Sequence, residues 1–527
     1  MSVSLAIYGS HDSSICIIEP SGKYRVYELE RYTRIRNFSL ATISDAEFID
    51  LMQSMFLLFK KDHGFTEYGS CFFAQVSPAR REILKSIFGF IHFEEMTHHA
   101  AHAAGALYQS DFEQAIVISS DSGGFEMPDG DVATFCVFFA DRTKPMNQVI
   151  KKLAQLPIDV CGAYTTLAIP LKEIWKEDEF TKYLSYAGKI MGLAAYGEIR
   201  QEWVSAFWDF YYGKINLENL QILGEKIGLD FSGINKVEGQ DSYDVAATSQ
   251  FIFEEISIRA ITPFVKFYDL PVILTGGAAL NVLLNERIKH EFGNPVFVPV
   301  NPNDCGLSFG MLALREPPLQ TVNIAYNGFD ILDIDKLPKF RKTFTGRARE
   351  VSTKEVARMI AAGKIIGVVR GRSECGARAL GNRSILCNPA IKDLKAILNE
   401  KVKFREWFRP FAPVVKLEDA GKYFEFTGES PFMSYAPRVV NGYKLKVPAI
   451  VHKDGTARLQ TVSRAQNPFL HELIDAMETL TDIGMVLNTS FNSKGKPILT
   501  TIEEALELLN TTGIDAVLIE NIIFEKS

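Results

Sequence analysis

No Cys-x-x-Cys pair occurs in this 527-residue chain, whose seven cysteines (Cys16, Cys71, Cys136, Cys161, Cys305, Cys375 and Cys387) are odd in number and scattered. That usage fits reduced thiols better than a disulfide framework or a zinc ribbon. No apolar run approaches the ~20 residues of a membrane span, and "MSVSLAIYGSHDSS" lacks a basic stretch followed by an apolar one. A cytoplasmic protein with no membrane attachment is the expectation. Positive charge is scarce as well: 57 Lys and Arg against 64 Asp and Glu leave a net charge of -7. A generally basic nucleic-acid coat is thereby excluded, although a local basic cleft is not. The motif GxxxxGK[ST] is missing, so any nucleotide site is not of Walker type. Solenoid repeats and low-complexity tracts are missing too.

What is present reads as an α/β chain of more than one domain, since 527 residues exceed one ordinary core. "SLAIYGSHDSSICIIEPSGKYRVYELER" predicts an antiparallel meander, and helical periodicity covers about residues 45 to 110. "QAIVISSDSGG" reads as a strand ending in a polar loop, with "VATFCVFFA" as its neighbour. "LPVILTGGAALNVLLNERI" and "NPVFVPVNPNDCGLSFGMLAL" each predict strand, turn and helix, in the manner of a nucleotide fold. A proline-bearing stretch with a basic finish places a domain boundary near residue 345, giving domains 1–345 and 346–527.

"THHAAHAAG" holds three of the nine histidines. On a helix, positions i and i+4 share a face, so His98 and His102 can present two imidazoles to one ion while His99 points elsewhere. HxxxH alone fits incidental histidines equally well. Asp121 and Asp304 each lie where a buried strand meets a loop, and singly each reads as a turn or cap residue. Together with the histidines they make a set suited to iron(II), manganese or zinc.

Several loops read as anion sites. Gly276 and Gly277 sit between strand and helix, where free N–H groups favour a phosphate, with Asn281 a turn later. Ser122, Gly123 and Gly124 offer further donors beside Asp121. His11, in the first hairpin turn, suits either a general base or a phosphate ligand. Farther on, "VKFREWFRPFAP" supplies Lys403 and Arg405, "DGTARLQTV" supplies Arg458, and "NTSFNSKGKP" supplies Ser490 and Asn492. Guanidinium forks with a Ser and Asn loop can hold a triphosphate without a P-loop. Arg378 and Arg383 stand in the glycine-rich "GRSECGARALGNRS", around Glu374.

Taken in order, "GSHDSS", "HHAAHAAGA", "SSDSGG", "GKIMGLAAYG", "TGGAALN", "VNPNDCG", "GRSECGARALGNRSIL", "VKFREWFRPFAPVV" and "NTSFNSKGKPI" resemble the O-carbamoyltransferases of the nodulation-protein and antibiotic-tailoring type. The resemblance covers nearly the whole chain. It implies an N-terminal metallodomain of actin-like ATPase fold joined to a C-terminal YrdC-like α/β domain. The latter would make carbamoyladenylate from carbamoyl phosphate and ATP, with Mg(2+) accompanying the ATP. The former would pass the carbamoyl group to an acceptor hydroxyl.

Residue by residue, the resemblance implies that His98, His102, Asp121 and Asp304 hold Fe(2+) or another divalent metal. His11 would stand at the transfer site and Gly276, Gly277 and Asn281 in its nucleotide loop. Lys403, Arg405, Arg458, Ser490 and Asn492, with Arg378 and Arg383 beside them, would form the adenylate. Departures occur at Ser122, where glycine is usual, at Cys375 and Ala377, where Phe and Pro are common, at Lys496 for Glu and at Arg36 for Lys. A small-molecule acceptor is favoured by the acidic balance, and a hydroxymethylated nucleotide or DNA base stays open, as does a homodimer. Two rival readings are a small-molecule kinase of actin-like fold and an ATP-regulated scaffold without chemistry.

Overall fold

The computed structural model describes residues 3–19, 21–65, 67–126, 131–175 and 186–526. The chain forms two compact units. The first comprises Met1–Ala163, Glu255–Leu280 and Ile288–Gly328, and the second Tyr164–Glu254, Asn281–Arg287 and Phe329–Ser527.

In the first unit, β1 (Val3–Tyr8), β2 (Ser14–Ile18) and β3 (Tyr24–Glu28) make the expected meander. They are joined by β4 (Tyr68–Ala74) and β5 (His92–Glu95) in the order β3-β2-β1-β4-β5. β1 pairs antiparallel with β2 and parallel with β4, and β4 pairs parallel with β5. The helical periodicity read over residues 45 to 110 therefore conceals two strands, each lying between helices.

The same plan recurs. β6 (Gln114–Glu126), β7 (Asp131–Asp141), β8 (Ile150–Leu156), β9 (Val272–Thr275) and β10 (Val296–Phe297) form a sheet ordered β10-β9-β6-β7-β8. Again three antiparallel strands are followed by two parallel additions, the fourth strand beside the first and the fifth beside the fourth. In both repeats the fifth strand leads to a helix: His98–Gln109 after β5 and Leu307–Arg315 after β10.

Each of these helices packs on the sheet of the other repeat. His98–Gln109 lies against β6, β7 and β9, and Leu307–Arg315 against β1, β2 and β4. The two helices also cross each other, and every residue of His98–Gln109 but Ala100 is buried. The crossing is backbone to backbone. A Cβ on Gly310 would lie 2.0 Å from the Ala101 carbonyl oxygen, and one on Gly105 would lie 3.1 Å from Gly310 Cα.

The second unit is built on an eight-stranded sheet, β11-β18-β17-β12-β13-β16-β14-β15. Its strands are β11 (Arg347–Glu350), β12 (Ile366–Val369), β13 (Arg383–Cys387), β14 (Ala412–Lys416), β15 (Gln460–Val462), β16 (Met485–Ser490), β17 (Ala516–Ile519) and β18 (Ile522–Glu525). Pairing is antiparallel except for β12 with β17 and β14 with β15. Helices Thr353–Ala361 and Pro468–Thr481 cover the sheet. Val356, Ile360, Leu470, Ile474 and Met477 form one core with Ile366, Val368, Leu386 and Val486. Among the described residues no helix is long and apolar enough to cross a membrane.

Candidate functional site

Helix His98–Gln109 starts at the end of β5 and sends its first turn toward the turn that follows β10. His98 and His102, one helical turn apart, point the same way. Asp121 lies where the β6–β7 register shifts between Ser120 and Gly124. "SSDSGG" is thus a bulge inside a strand that continues to Glu126, and not a terminal loop. The bulge aims the Asp121 carboxylate out of the ladder. Asp304 opens the turn leading into Leu307–Arg315.

One ligand atom from each of His98, His102, Asp121 and Asp304 can be chosen so that all lie within 4.8 Å of one another. His102 Nε2 is 3.3 Å from Asp304 Oδ1 and 3.6 Å from Asp121 Oδ2, and His98 Nε2 is 3.6 Å from Asp304 Oδ1. Two ligands each about 2.1 Å from one ion lie about 3–3.5 Å apart, so these separations suit a shared cation better than hydrogen bonds. Both ring nitrogens of His98, Nε2 of His102 and Oδ1 of Asp304 are buried and have no hydrogen-bond partner among the described residues. Orphaned buried donors and acceptors are costly, and a divalent ion would satisfy one nitrogen of each ring and the Asp304 oxygen together. The residues fit a metal.

Supporting contacts orient the set. Asp304 Oδ2 accepts the Tyr8 hydroxyl at 2.5 Å. Asp121 accepts the Gly277 N–H at 2.8 Å on Oδ2 and the Ser122 N–H at 2.8 Å on Oδ1. The Gly276 N–H donates to the Pro302 carbonyl at 2.8 Å. The Gly276 and Gly277 donors read as phosphate ligands are therefore engaged in holding the aspartates' loops. Gly276 has φ +82, and a Cβ there would lie 2.2 Å from the Ser120 carbonyl oxygen. Gly124 has a different task from anion binding: a Cβ on it would lie 2.2 Å from His98 Cγ and Cδ2. Asn281 accepts from Leu284 N–H and pairs with Gln250 through both ends of its amide. His99 is tied to Ser119 Oγ at 2.7 Å and the Ala133 carbonyl at 2.9 Å.

His11 Nε2 lies 3.5 Å from Asp304 Oδ2, and its Nδ1 lies 3.5 Å from Asp12 Oδ2. Burial opposes its charge, but the bond to Asp12 and the Asp304, Asp12 and Asp121 charges raise its pKa to about 9. His102 follows the same logic, with burial outweighed by Asp121 and Asp304, and also reaches about 9. Burial dominates at His98 and lowers it. Asp304, although burial opposes its charge, is held well below the usual carboxylate range by His98, His102 and His11. Tyr8 and Asp12 carried no sequence signal beyond their neighbours.

The second unit gathers the basic residues. A π-helical turn, Leu398–Lys403, ends at Phe404 with φ +47 and delivers Lys403 to the end of β16. Lys403 Nζ donates to Ser490 O at 2.7 Å, Asn492 O at 3.1 Å and Asn492 Oδ1 at 2.5 Å. Burial, then the charges of Arg378, Arg405 and Arg409, push Arg458 well below the ordinary arginine value. Arg405 is lowered well below it too, by burial and then by Arg409. Guanidiniums that repel one another would be relieved by a polyanion.

Arg383 behaves differently from its neighbours. It is fully buried, and its guanidinium donates to the carbonyls of Arg370, Asn382 and Gly371 at 2.7, 3.0 and 2.9 Å. It braces the loop. Glu374, also buried, accepts the N–H groups of Leu380, Asn382 and Arg383 on one oxygen at 2.7, 2.8 and 3.0 Å.

A family model of the carbamoyltransferase N-terminus matches residues 84–312, and one of the carbamoyltransferase C-terminus matches residues 357–526. The nodulation protein NolO of Bradyrhizobium diazoefficiens is 30% identical over 467 residues, covering 82% of this chain and 79% of that protein. The nodulation protein NolNO of Sinorhizobium fredii is 31% identical over 462 residues, covering 82% of this chain and 64% of its own. Among solved structures, full-length HypF is similar with a TM-score of 0.35 and 14% identity, over 59% of this chain and 55% of that one.

Proposed function

The chain belongs to the carbamoyltransferase family, and on that premise we propose that it is an ATP-dependent O-carbamoyltransferase with two chemically distinct sites. Membership sets aside the kinase and the scaffold. The observation that carries the two-site reading is the metal-ligand set of His98, His102, Asp121 and Asp304, in which both histidines and Asp304 are buried and carry ligand atoms without a hydrogen-bond partner among the described residues. A separate crowd of guanidiniums around Arg458 accompanies it.

In the C-terminal domain, 346–527, Lys403, Arg405, Arg458 and Arg378 would bind phosphate charge, with Ser490 and Asn492 orienting Lys403. Carbamoyl phosphate, ATP and one water would yield carbamoyladenylate, phosphate and pyrophosphate. Water cleaves carbamoyl phosphate to carbamate and phosphate, and a carbamate oxygen then forms the bond to the α-phosphorus of ATP as pyrophosphate leaves. Both departing anions need the positive charge that these arginines concentrate. Glu374 and Arg383 would hold the loop that presents Arg378. A YrdC-like assignment for this domain accompanies that role.

Residues 1–345 would carry the transfer, and the repeated strand order of their two sheets supports an actin-like fold. A divalent cation, with iron(II) the preferred identity, would be held by His98, His102, Asp121 and Asp304 and would supply Lewis-acid stabilisation of phosphate charge. His11, charged at neutral pH in the metal-free protein, suits a phosphate oxygen. Offsetting the Asp304 charge lowers its pKa toward the range of a base for the acceptor hydroxyl. Tyr8 and Asp12 would fix Asp304 and His11. The acceptor is a hydroxyl on a small molecule such as a sugar or natural product, and the net charge of -7 favours this over DNA. A cytoplasmic location is in keeping with the odd number and scattered positions of the seven cysteines.

Incubation with carbamoyl phosphate, ATP, Mg(2+), iron(II) and a panel of hydroxyl acceptors tests the proposal, read by mass for the gain of one carbamoyl group. Lys403→Ala should abolish pyrophosphate release, whereas His102→Ala should spare it and block transfer. Loss of both half-reactions together in each variant would contradict the division into two sites.

A further inference from the structure

The segment that carries Arg458, "VHKDGTAR", also carries His452. None of the roles assigned above uses this residue. A tight turn holds it: His452 N–H donates to the Thr456 carbonyl at 2.8 Å, and Gly455 N–H donates to the His452 carbonyl at 3.0 Å. Ring nitrogen Nδ1 is 3.2 Å from Thr456 Oγ1, and that hydroxyl donates to Asp454 Oδ1 at 2.8 Å.

The hydroxyl has one proton, and the carboxylate only accepts. With that proton committed to Asp454, the hydroxyl oxygen must accept from the ring, so the hydrogen of a neutral His452 sits on Nδ1. Nε2 then presents a bare lone pair. Nε2 is buried and has no hydrogen-bond partner among the described residues. Burial keeps the ring neutral, and although Asp454 opposes this, the charges of Arg458 and Lys395 reinforce it, holding the pKa at about 4. The lone pair therefore persists at neutral pH as an acceptor, and it is too weak to serve as a base.

An acceptor of this kind beside a basic site would be satisfied by a donor from the substrate. Around Arg458 the substrates are anions, and phosphate oxygens cannot donate to it. A carbamoyl group can: its –NH2 lies close to the oxygen that carries phosphorus. Acetyl phosphate has nearly the same shape and charge but puts a methyl group there. We propose that His452 Nε2 accepts an N–H of the carbamoyl group and thereby selects carbamoyl phosphate over other acyl phosphates. This rests on the second unit being the carbamoyladenylate-forming site. Adenine also has an amino group, but it stands at the far end of ATP from the phosphates, whereas His452 feels the charge of Arg458, which in turn feels the arginines assigned above to the phosphates.

The test is ATP-dependent pyrophosphate release by the full-length chain with carbamoyl phosphate or acetyl phosphate as donor. A site built to hydrogen-bond an N–H rejects an analogue lacking it by about 10⁴-fold, so the unaltered protein should prefer carbamoyl phosphate by that order in kcat/KM. In His452→Leu the preference should shrink by about 100-fold or more, through a fall for carbamoyl phosphate with acetyl phosphate unchanged or improved. His452→Gln, which can restore an acceptor oxygen, should keep most of the preference. Because the preference is a ratio measured on one sample, partial misfolding does not move it. Equal losses for both donors in His452→Leu would overturn the inference and leave only a structural histidine. A raised KM for ATP at constant donor preference would overturn it in favour of adenine. If the unaltered protein releases pyrophosphate with carbamoyl phosphate and shows no preference over acetyl phosphate, the inference alone fails. If it releases none, the adenylate-forming reading fails first and the inference with it.

Discussion

Replacing Gly124 by alanine tests the proposed metal centre at its most constrained point. The new Cβ would lie 2.2 Å from His98 Cγ and Cδ2 and 2.6 Å from His98 Cβ, where ordinary contact begins at 3.4 Å. The imidazole cannot simply swing aside. It is 2% exposed and ringed by Tyr8, His99 and His102, with ring centroids 6.2, 5.0 and 4.8 Å away. Relief must come from moving the ring off Asp304 or from opening the β6–β7 bulge, at a cost of about 1–3 kcal/mol for overpacking. Either movement misplaces a ligand, and even disturbing a ligand's support lowers metal affinity about 10–100-fold. The assay is titration of the metal-free protein with iron(II) or cobalt(II) under anaerobic conditions, alongside the melting temperature with and without metal. At 100 times the dissociation constant a bound ion stabilises by about 2.7 kcal/mol, so the metal-induced rise in Tm should shrink in step with affinity. Gly188→Ala, where a Cβ meets nothing within 4 Å, is the control and should leave both readings unchanged. Unchanged affinity in Gly124→Ala would refute the assignment of His98 as a ligand.

Metal affinity should also climb with pH. His102 holds a proton in the metal-free protein up to about pH 9, because Asp121 and Asp304 outweigh burial. Coordination requires its bare Nε2, so one proton must leave, and affinity should rise about tenfold per pH unit between pH 7 and 9 and then level off. A flat titration profile over that range would show that His102 is not coordinating. In the second unit, Glu374→Gln keeps an oxygen for the three backbone donors but removes its charge and puts an amide where the other oxygen has no partner among the described residues. Stability should fall by about 1–3 kcal/mol in urea, and pyrophosphate release should fall with it. Full stability with full activity would mean that the loop does not depend on the carboxylate.

The parts legible in the sequence were those with a local period. The opening hairpins, the strand–turn–helix units around Gly276 and Asp304, and the shared face of His98 and His102 all follow from spacings of two or four residues. β4 and β5 did not stand out because they are short and flanked by helices whose periodicity masks them. The β6 bulge was hidden for another reason: Ser, Asp and Gly have the composition of a loop, and only pairing with β7 across the irregularity shows that the strand continues. Arg383 looked like an anion ligand because it sits among glycines, yet those glycines bring backbone carbonyls close enough to occupy its guanidinium. His452 had no signal, since what distinguishes it is a proton's position set by Thr456 and Asp454.

The repeated plan of the first unit bears on the order in which the molecule can assemble. His98 and His102 follow the fifth strand of one repeat, Asp304 follows the fifth strand of the other, and Asp121 belongs to the second repeat's opening pair of strands. Neither repeat alone can gather the four ligands, and neither can bury its own last helix, which lies on the opposite sheet. Ion capture would consequently be a late event in maturation, available only after both sheets have formed and exchanged helices. Its binding energy would accrue to the docked pair alone. The ion would serve as an inspector of assembly as well as a participant in chemistry, and a chain made under metal starvation should remain open to proteases at this seam.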